Sequence, residues 1–497
     1  MKKFSTITLI LFSLPILAYA QILGPLNEQF NSIRQNSVST ISAHGDTVWI
    51  SPSLNRNIGN QPEWFYPENA DSVLNNKGRA FSISLAQDTV VAGLGFSSNS
   101  PDGTVPAGYG FYTSIDGGEN WVFRNFPVDD PPAENCNNGS GYNPECDLSF
   151  TYGGNEYKRV RNTVLQQSPP YATDFHGDTI LSAVWASGLI RSTDFGQSWE
   201  RIILPPSNVS SFSPEQEYQW TSTIGGENYN RYDPRQDNNL LGFGLLIDSE
   251  KRVWFGSADG INISENALTA PVDSISWKHI RFDNSSDGLL GNWIISIKEQ
   301  PGTNRIWMTN WIATQPQKQG LVYTDDGGNT FQQVLIGERI NDIGFKDGSI
   351  FAAGDDGLFI SRDNGNTWIK TAQIKSPNAI IKSSASFYSV ASTNNRVWLG
   401  TGDGLASTGD LGETWEITRV NYPLKNGNIF DPDGRNTNTY AYPNPYSPTQ
   451  HDIVRIKFEV KKQGNIKIRI FDFGMNLVKE IENDSFLPGI YEAVWDG

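Results

Sequence analysis

Apolar and polar positions alternate in short runs along most of this chain, and each run is broken by a turn rich in Gly, Asp or Asn. Leu358 and Ile360 alternate ahead of one such turn, and Trp368 and Ile369 follow it, which predicts two short antiparallel strands. Between them stands Ser361-Arg362-Asp363-Asn364-Gly365-Asn366-Thr367-Trp368. The same pattern, Ser/Thr-x-Asp-x-Gly-x-Thr/Ser/Asn-aromatic, recurs from Ser114 to Trp121, Ser192 to Trp199, Thr324 to Phe331 and Thr408 to Trp415. A glycine precedes each box Asp by a fixed interval: Gly110, Gly188, Gly320, Gly357 and Gly404. An eroded copy follows Gly260, with Asn266 in the Asp position and a late Trp277. Spacing held in one frame over this many copies marks an internal repeat. The predicted units run over 79–126, 161–204, 240–282, 291–336, 338–373 and 383–420. An opening unit with strands at Val38–Ser42 and Thr47–Ser51 brings the count to seven.

The box has the chemistry of a tight turn. Its carboxylate can accept backbone N–H groups, its glycine takes positive φ, and its hydroxyls bond locally while the aromatic anchors the next strand. In this it resembles the Asp-box of sialidase-like β-propellers, found also in sortilin-type receptors and xyloglucan-active glycosidases. The resemblance spans roughly residues 80–420 and implies an all-β, seven-bladed β-propeller over 21–420. It also implies that Asp116, Asp194, Asp326, Asp363 and Asp410 are structural and lie away from the ligand face.

Beyond 420 the pattern changes. Residues 421–441 are polar and read as a linker. Tyr442-Pro443-Asn444-Pro445-Tyr446-Ser447-Pro448 then opens a new alternation through Ile453–Val460 and Ile466–Ile470, which ends in Trp495-Asp496-Gly497. Residues 442–497 resemble the Ig-like C-terminal module of flagellar hook-cap proteins and of type IX secretion substrates in the Bacteroidetes. That likeness implies a partial β-sandwich with a sorting or attachment role and the secretion machinery as partner. The family pattern continues into a further strand, so the module reads as truncated.

Composition adds a compartment. Lys2 and Lys3, an apolar run from Ile7 to Leu17 and Ala18-Tyr19-Ala20 form a secretory signal over 1–20, and no later stretch is long and apolar enough for a membrane span. Cys136 and Cys146, the two cysteines of the chain, share one loop and read as a local disulfide in an oxidising compartment. Two free thiols or half a metal site are the alternatives. The net charge of −16 argues against nucleic acid and anionic membranes as partners. No cofactor motif occurs, and the four histidines suggest neither a zinc site nor a triad.

Strand parity sorts the loops. Boxes share one face with the turns His44-Gly45-Asp46-Thr47 and His176-Gly177-Asp178-Thr179, and the opposite face receives the insertions 127–160 and 205–239 and the loops 96–109 and 311–319. Long loops on a rigid scaffold are where binding usually resides. Tyr142, Tyr152, Tyr157, Tyr218, Trp220, Tyr229, Tyr232 and Trp311 are therefore the candidate ligand-binding residues, interleaved with acids and amides. The alternative is that these rings pack their own loops. Two functions follow: a secreted or surface-displayed module binding carbohydrate or an extracellular protein, and a glycoside hydrolase of sialidase-like or xyloglucanase-like type. A sialidase would need three convergent arginines, and Arg79, Arg159, Arg161, Arg231 and Arg235 are available. An inverting glycosidase would need two acids about 6.5–9.5 Å apart.

Overall fold

The computed structural model describes residues 33–495, apart from 62, 68–77, 101–102, 134–135, 137–141, 372, 377–378, 421–438, 448–450, 452 and 487. The expected signal segment and most of the expected linker lie outside the described residues.

Seven antiparallel sheets follow one another along the chain. Sheet 1 has three strands within Ile41–Ile58, and the others fall within 78–125, 170–202, 242–280, 293–334, 340–370 and 387–418. Within these ranges the strands of each sheet pair in sequence order, as expected of short alternating runs joined by tight turns. The apolar core lies between sheets: Trp49 with Val90, Phe111 with Ile190, Trp254 with Ile306, Trp307 with Ile350, and Phe351 with Leu399 share buried clusters. Tyr152, Leu181 and Phe255 belong to the cluster between sheets 3 and 4. The last gap is filled by Ile41 and Val48 of sheet 1 against Trp398 and Leu405 of sheet 7. Across that gap Ile41 N donates to Ser389 Oγ at 3.0 Å, and Val38 N to the Thr401 carbonyl at 2.9 Å. The ring is therefore closed, and the chain is a β-propeller.

The five boxes share one hydrogen-bond set. In the first, the Asp116 carboxylate accepts from Ser114 Oγ and Asn120 N, while Ser114 Oγ accepts from Gly118 N. Asp194, Asp326, Asp363 and Asp410 repeat this with Ser198, Thr330, Thr367 and Thr414. In the eroded copy Asn266 Oδ1 accepts from Ser276 N, so an amide keeps the turn across a longer loop. Gly118 shows why the box needs its glycine: φ is +86°, and a Cβ would lie 2.3 Å from the Trp49 ring of sheet 1. Each box thus clips its sheet to the one before.

These bonds favour the ionised carboxylate. At Asp194 the slight burial is outweighed by bonds from Ser198 and Ser192, and at Asp410 bonds from Thr414 and Thr408 dominate; both are held at about 2. A depressed folded-state pKa contributes stability above the unfolded value, which is lost as pH falls through the folded one. The thermal midpoint is therefore expected to hold down to about pH 4 and to fall between about pH 4 and 2. Calorimetry against pH checks this, and a midpoint unchanged through that window would contradict it.

Three expectations change. The described residues of 96–109 are strand rather than loop: Thr89–Ser100 and Gly103–Ser114 pair out to Ser100 and Gly103, so this hairpin extends sheet 2. The opening unit has a third strand at Asn55–Ile58, where arginine and asparagine replaced the apolar alternation. A strand at Thr439–Tyr442 lies within the end of the expected linker and pairs with Val454–Val460, which in turn pairs with Gly489–Trp495. Gly464–Phe471 and Leu477–Phe486 form a second sheet. The module is tied to the propeller by Arg455, which is buried and contacts the Asp403 carboxylate of sheet 7 and the Ile380 carbonyl.

Candidate functional site

The innermost strands of all seven sheets line one central channel, with a cavity of about 410 Å³. Six of these strands carry a β-bulge near the end that faces the insertions. The register slips at Phe81, Tyr171, Phe243-Gly244, Ile295-Ser296, Asn341 and Tyr388. A bulge frees a residue from the ladder and re-aims its side chain, and bulges concentrate beside functional sites. Here the same device, repeated from sheet to sheet, sets Tyr171, Asn341 and Tyr388 into the channel wall.

An arc of rings results. Phe81 meets Tyr171 at 5.9 Å, Tyr171 meets Phe243 at 5.8 Å, and Phe243 lies 4.8 Å from Trp185 and 5.3 Å from Trp293. Trp311 continues it in sheet 5, with the Arg339 guanidinium 3.8 Å above its ring and Nε1 donating to the Ile340 carbonyl. All these rings are half-buried. Half-buried aromatics around a concave mouth suit sugar faces or apolar side chains.

The eight candidate aromatics divide. Trp311 is in this mouth. Tyr142 and Tyr229 are half-buried in the insertions, with ring centroids 4.5 Å apart and planes tilted by 50°; burial and a hydrogen bond to Asp147 push the Tyr142 phenol up to about 12. The other five are interior. Tyr152, Tyr157, Tyr218, Trp220 and Tyr232 are 0–8% exposed and pack with Phe150 and Phe212 against sheets 3 and 4. The physical reason is that the insertions fold. Leu148–Tyr152 pairs with Asn155–Arg159, Thr221–Ile224 pairs with Glu227–Asn230, and Ser211–Phe212 adds a strand to sheet 4. These hairpins need a core of their own, and the five rings supply it. The disulfide between Cys136 and Cys146 closes the first insertion.

The arginines are likewise occupied. Arg159 forms a two-pronged pair with Asp129 at 2.7 and 2.9 Å. Arg231 bridges Asp147 and Asp233, Arg235 joins it on Asp233, and Arg161 donates to the Cys146 and Asp130 carbonyls. Arg79 lies over the Phe81 ring at 4.4 Å. None of the five lines the channel cavity, so they form no carboxylate-binding triad there.

One acid on the insertion face stands out. Asp259, in the turn before Gly260, is 4% exposed, takes a hydrogen bond from Asn292 and lies 2.9 Å from Arg281 Nε. Burial outweighs the pull of Arg281 and raises its carboxyl to about 6. His279 ties this turn to the second insertion, with its ring nitrogens 3.0 Å from the Val209 and Asp259 carbonyls.

Sequence spacing alone pointed to the insertions and missed Phe81, Tyr171, Trp185, Phe243, Trp293 and Tyr388. The five other than Trp185 lie in first strands of their units, at Phe81, Tyr171, Phe243, Trp293 and Tyr388, but not at one fixed position of the repeat.

No known family model matches the chain, and no curated protein matches it in sequence. Among solved structures it is similar to the GH74 xyloglucanase of Xanthomonas campestris at 12% identity and a TM-score of 0.47. That alignment covers 78% of this chain and 55% of the xyloglucanase, so this chain spans about half of that protein. It is similar also to PorZ, a bacterial surface component of the type-IX secretion system of Porphyromonas gingivalis, at 12% identity and a TM-score of 0.36 over 92% of this chain and 77% of that one. The WD40 beta propeller domain of Doa1 aligns at 12% identity and a TM-score of 0.35, over 75% of this chain and 92% of that one.

Proposed function

We propose that this chain is an extracytoplasmic binding protein. Its seven sheets act as the blades of a propeller that holds a carbohydrate or extracellular protein ligand on the aromatic rim of the channel. The C-terminal module, docked through Arg455, serves export or attachment. The observation that carries this reading is the inner-strand bulge, repeated at one position in six sheets, which turns a structural ring into a shaped mouth. The disulfide fits an oxidising destination. Among the described residues no helix is long and apolar enough to cross a membrane.

The test is a panel of glycans and extracellular proteins, with sialosides and plant β-glucans followed in parallel for release of product. Binding without product is the expected result. Trp293→Ala is expected to weaken it about tenfold or more, as truncation of a central aromatic anchor does. An unchanged affinity would place the ligand elsewhere.

Asp259 favours a second reading, glycoside hydrolysis, because a carboxyl held near 6 is tuned for general-acid work. On that reading hydrolysis declines above pH 6 as the acid ionises, and Asp259→Asn abolishes it. Stability supplies an independent check. A carboxyl whose folded pKa is raised stabilises fully below its unfolded value, about 4, and loses that contribution as pH rises through 6. Asp259→Asn is therefore expected to flatten the decline in unfolding free energy between about pH 4 and 7. Urea denaturation across that range measures it.

A further inference from the structure

The polar groups of the channel fall into two layers. In the depth, the Ser84, Ser296 and Ser389 hydroxyls donate to Asp174 or Asp342, and Lys298 pairs with Asp342 at 3.9 Å. Those groups hold neighbouring sheets together. At the rim the polar atoms are unspent. Tyr171 and Tyr388 line the cavity, and neither phenol has a hydrogen-bond partner among the described residues. The Trp185 and Trp293 indole N–H groups likewise meet no acceptor among them. Asn341 spends both amide hydrogens, on Asp355 Oδ1 at 3.0 Å and the Phe387 carbonyl at 2.8 Å, which leaves its Oδ1 as an acceptor. None of these five atoms is sealed from solvent.

The rim is also two-sided. Trp185, Phe243 and Trp293 pack on one another with centroids 4.8, 5.3 and 6.3 Å apart, and with Tyr171 they build an aromatic wall over sheets 3 to 5. Asn341 and Tyr388 stand in sheets 6 and 7, further round the same opening. A ligand matched to such a mouth has an apolar face and an edge bearing donors and acceptors, as a pyranose ring does. A purely apolar side chain would leave the phenols and the amide oxygen of the rim without partners. An ammonium held between rings needs each of them within about 6 Å, and rings already in mutual contact leave no slot for one. Charge narrows the class further. The cavity wall holds two carboxyl groups and one ammonium, so it offers no surplus cation. Arg79 and Arg339 sit over separate rings, Phe81 and Trp311, at opposite ends of the arc, and form no joint carboxylate site. We propose that the rim binds a neutral glycan, with a sugar stacked on the Phe243–Trp293 wall and hydroxyls bonded by Tyr171, Asn341 and Tyr388. This rests on the rim being the binding face and adds the class and charge of the ligand.

The test titrates the full chain by calorimetry with two neutral hexasaccharides, cellohexaose and mannohexaose, and with the hexaglucuronate and hexamannuronate of the same linkage. At least one neutral chain is expected to bind, and to bind about tenfold or more tightly than its uronate, whose carboxylates would enter the mouth unpaired. Tyr171→Phe and Tyr388→Phe keep the rings and remove one hydroxyl each. Each is expected to weaken that binding about three- to tenfold, the worth of one hydrogen bond. Neither hydroxyl has a partner in the fold, so these variants decide even if Trp293→Ala fails to fold. A uronate that binds as tightly as its neutral counterpart overturns the proposal, as does neutral binding that both phenylalanine variants leave unchanged. If no hexasaccharide binds but Trp293→Ala removes binding of an extracellular protein from the ligand panel, the rim remains the binding face and only the glycan assignment falls. If no hexasaccharide binds and Trp293→Ala leaves every ligand of the panel unaffected, both readings fall.

Discussion

Trp307→Ala is expected to destabilise the chain by about 3–5 kcal/mol, the range for removing a large, fully buried aromatic side chain. Trp307 has no exposed surface and sits at the seam of sheets 5 and 6. Its Nε1 donates to Gln300 Oε1 at 2.9 Å, its ring meets Tyr323 at 4.5 Å and Trp368 edge-on at 6.3 Å, and a Cβ on Gly365 would lie 2.6 Å away. Alanine leaves a cavity that the closed ring resists filling, because each neighbouring sheet is held on its far side by another seam. Urea denaturation followed by far-ultraviolet circular dichroism measures the effect. A loss below about 1 kcal/mol would show that the seam collapses freely.

Asp403→Ala is the second large effect, at about 3–5 kcal/mol, the cost of breaking a buried ion pair from one side. The Asp403 carboxylate is shared by Arg419 of its own sheet and Arg455 of the C-terminal module, and it also accepts from Lys382 N at 2.8 Å. All three ionic side chains are at most 10% exposed. Without the carboxylate, two guanidinium groups are left facing each other, and the module is expected to come away. Small-angle scattering should show a larger radius of gyration, with the propeller's circular dichroism retained. An unchanged radius would mean that the remaining contacts hold the module in place.

The fold was legible because its cause is local. The Asp363 box and its copies are turns whose side chains bond their own backbone, so the sequence carries the geometry and, through spacing, the order of the sheets. The site was less legible because its cause is not local. Phe81, Phe243 and Tyr388 read as ordinary strand residues, and only the register of the second strand reveals that each is a bulge. Tyr152 and Trp220 misled for the complementary reason. An aromatic residue in a long insertion looks like a binding group until the insertion is seen to fold against sheets 3 and 4 and to need a core.

The bulges also bear on how such a molecule changes over time. A bulged residue takes no part in the inter-strand ladder, so its side chain can be exchanged without shifting the pairing of the strand behind it. Six such positions, far apart in the chain yet adjacent around one opening, amount to a set of independent dials. A new preference can be acquired one dial at a time, with each intermediate still folded.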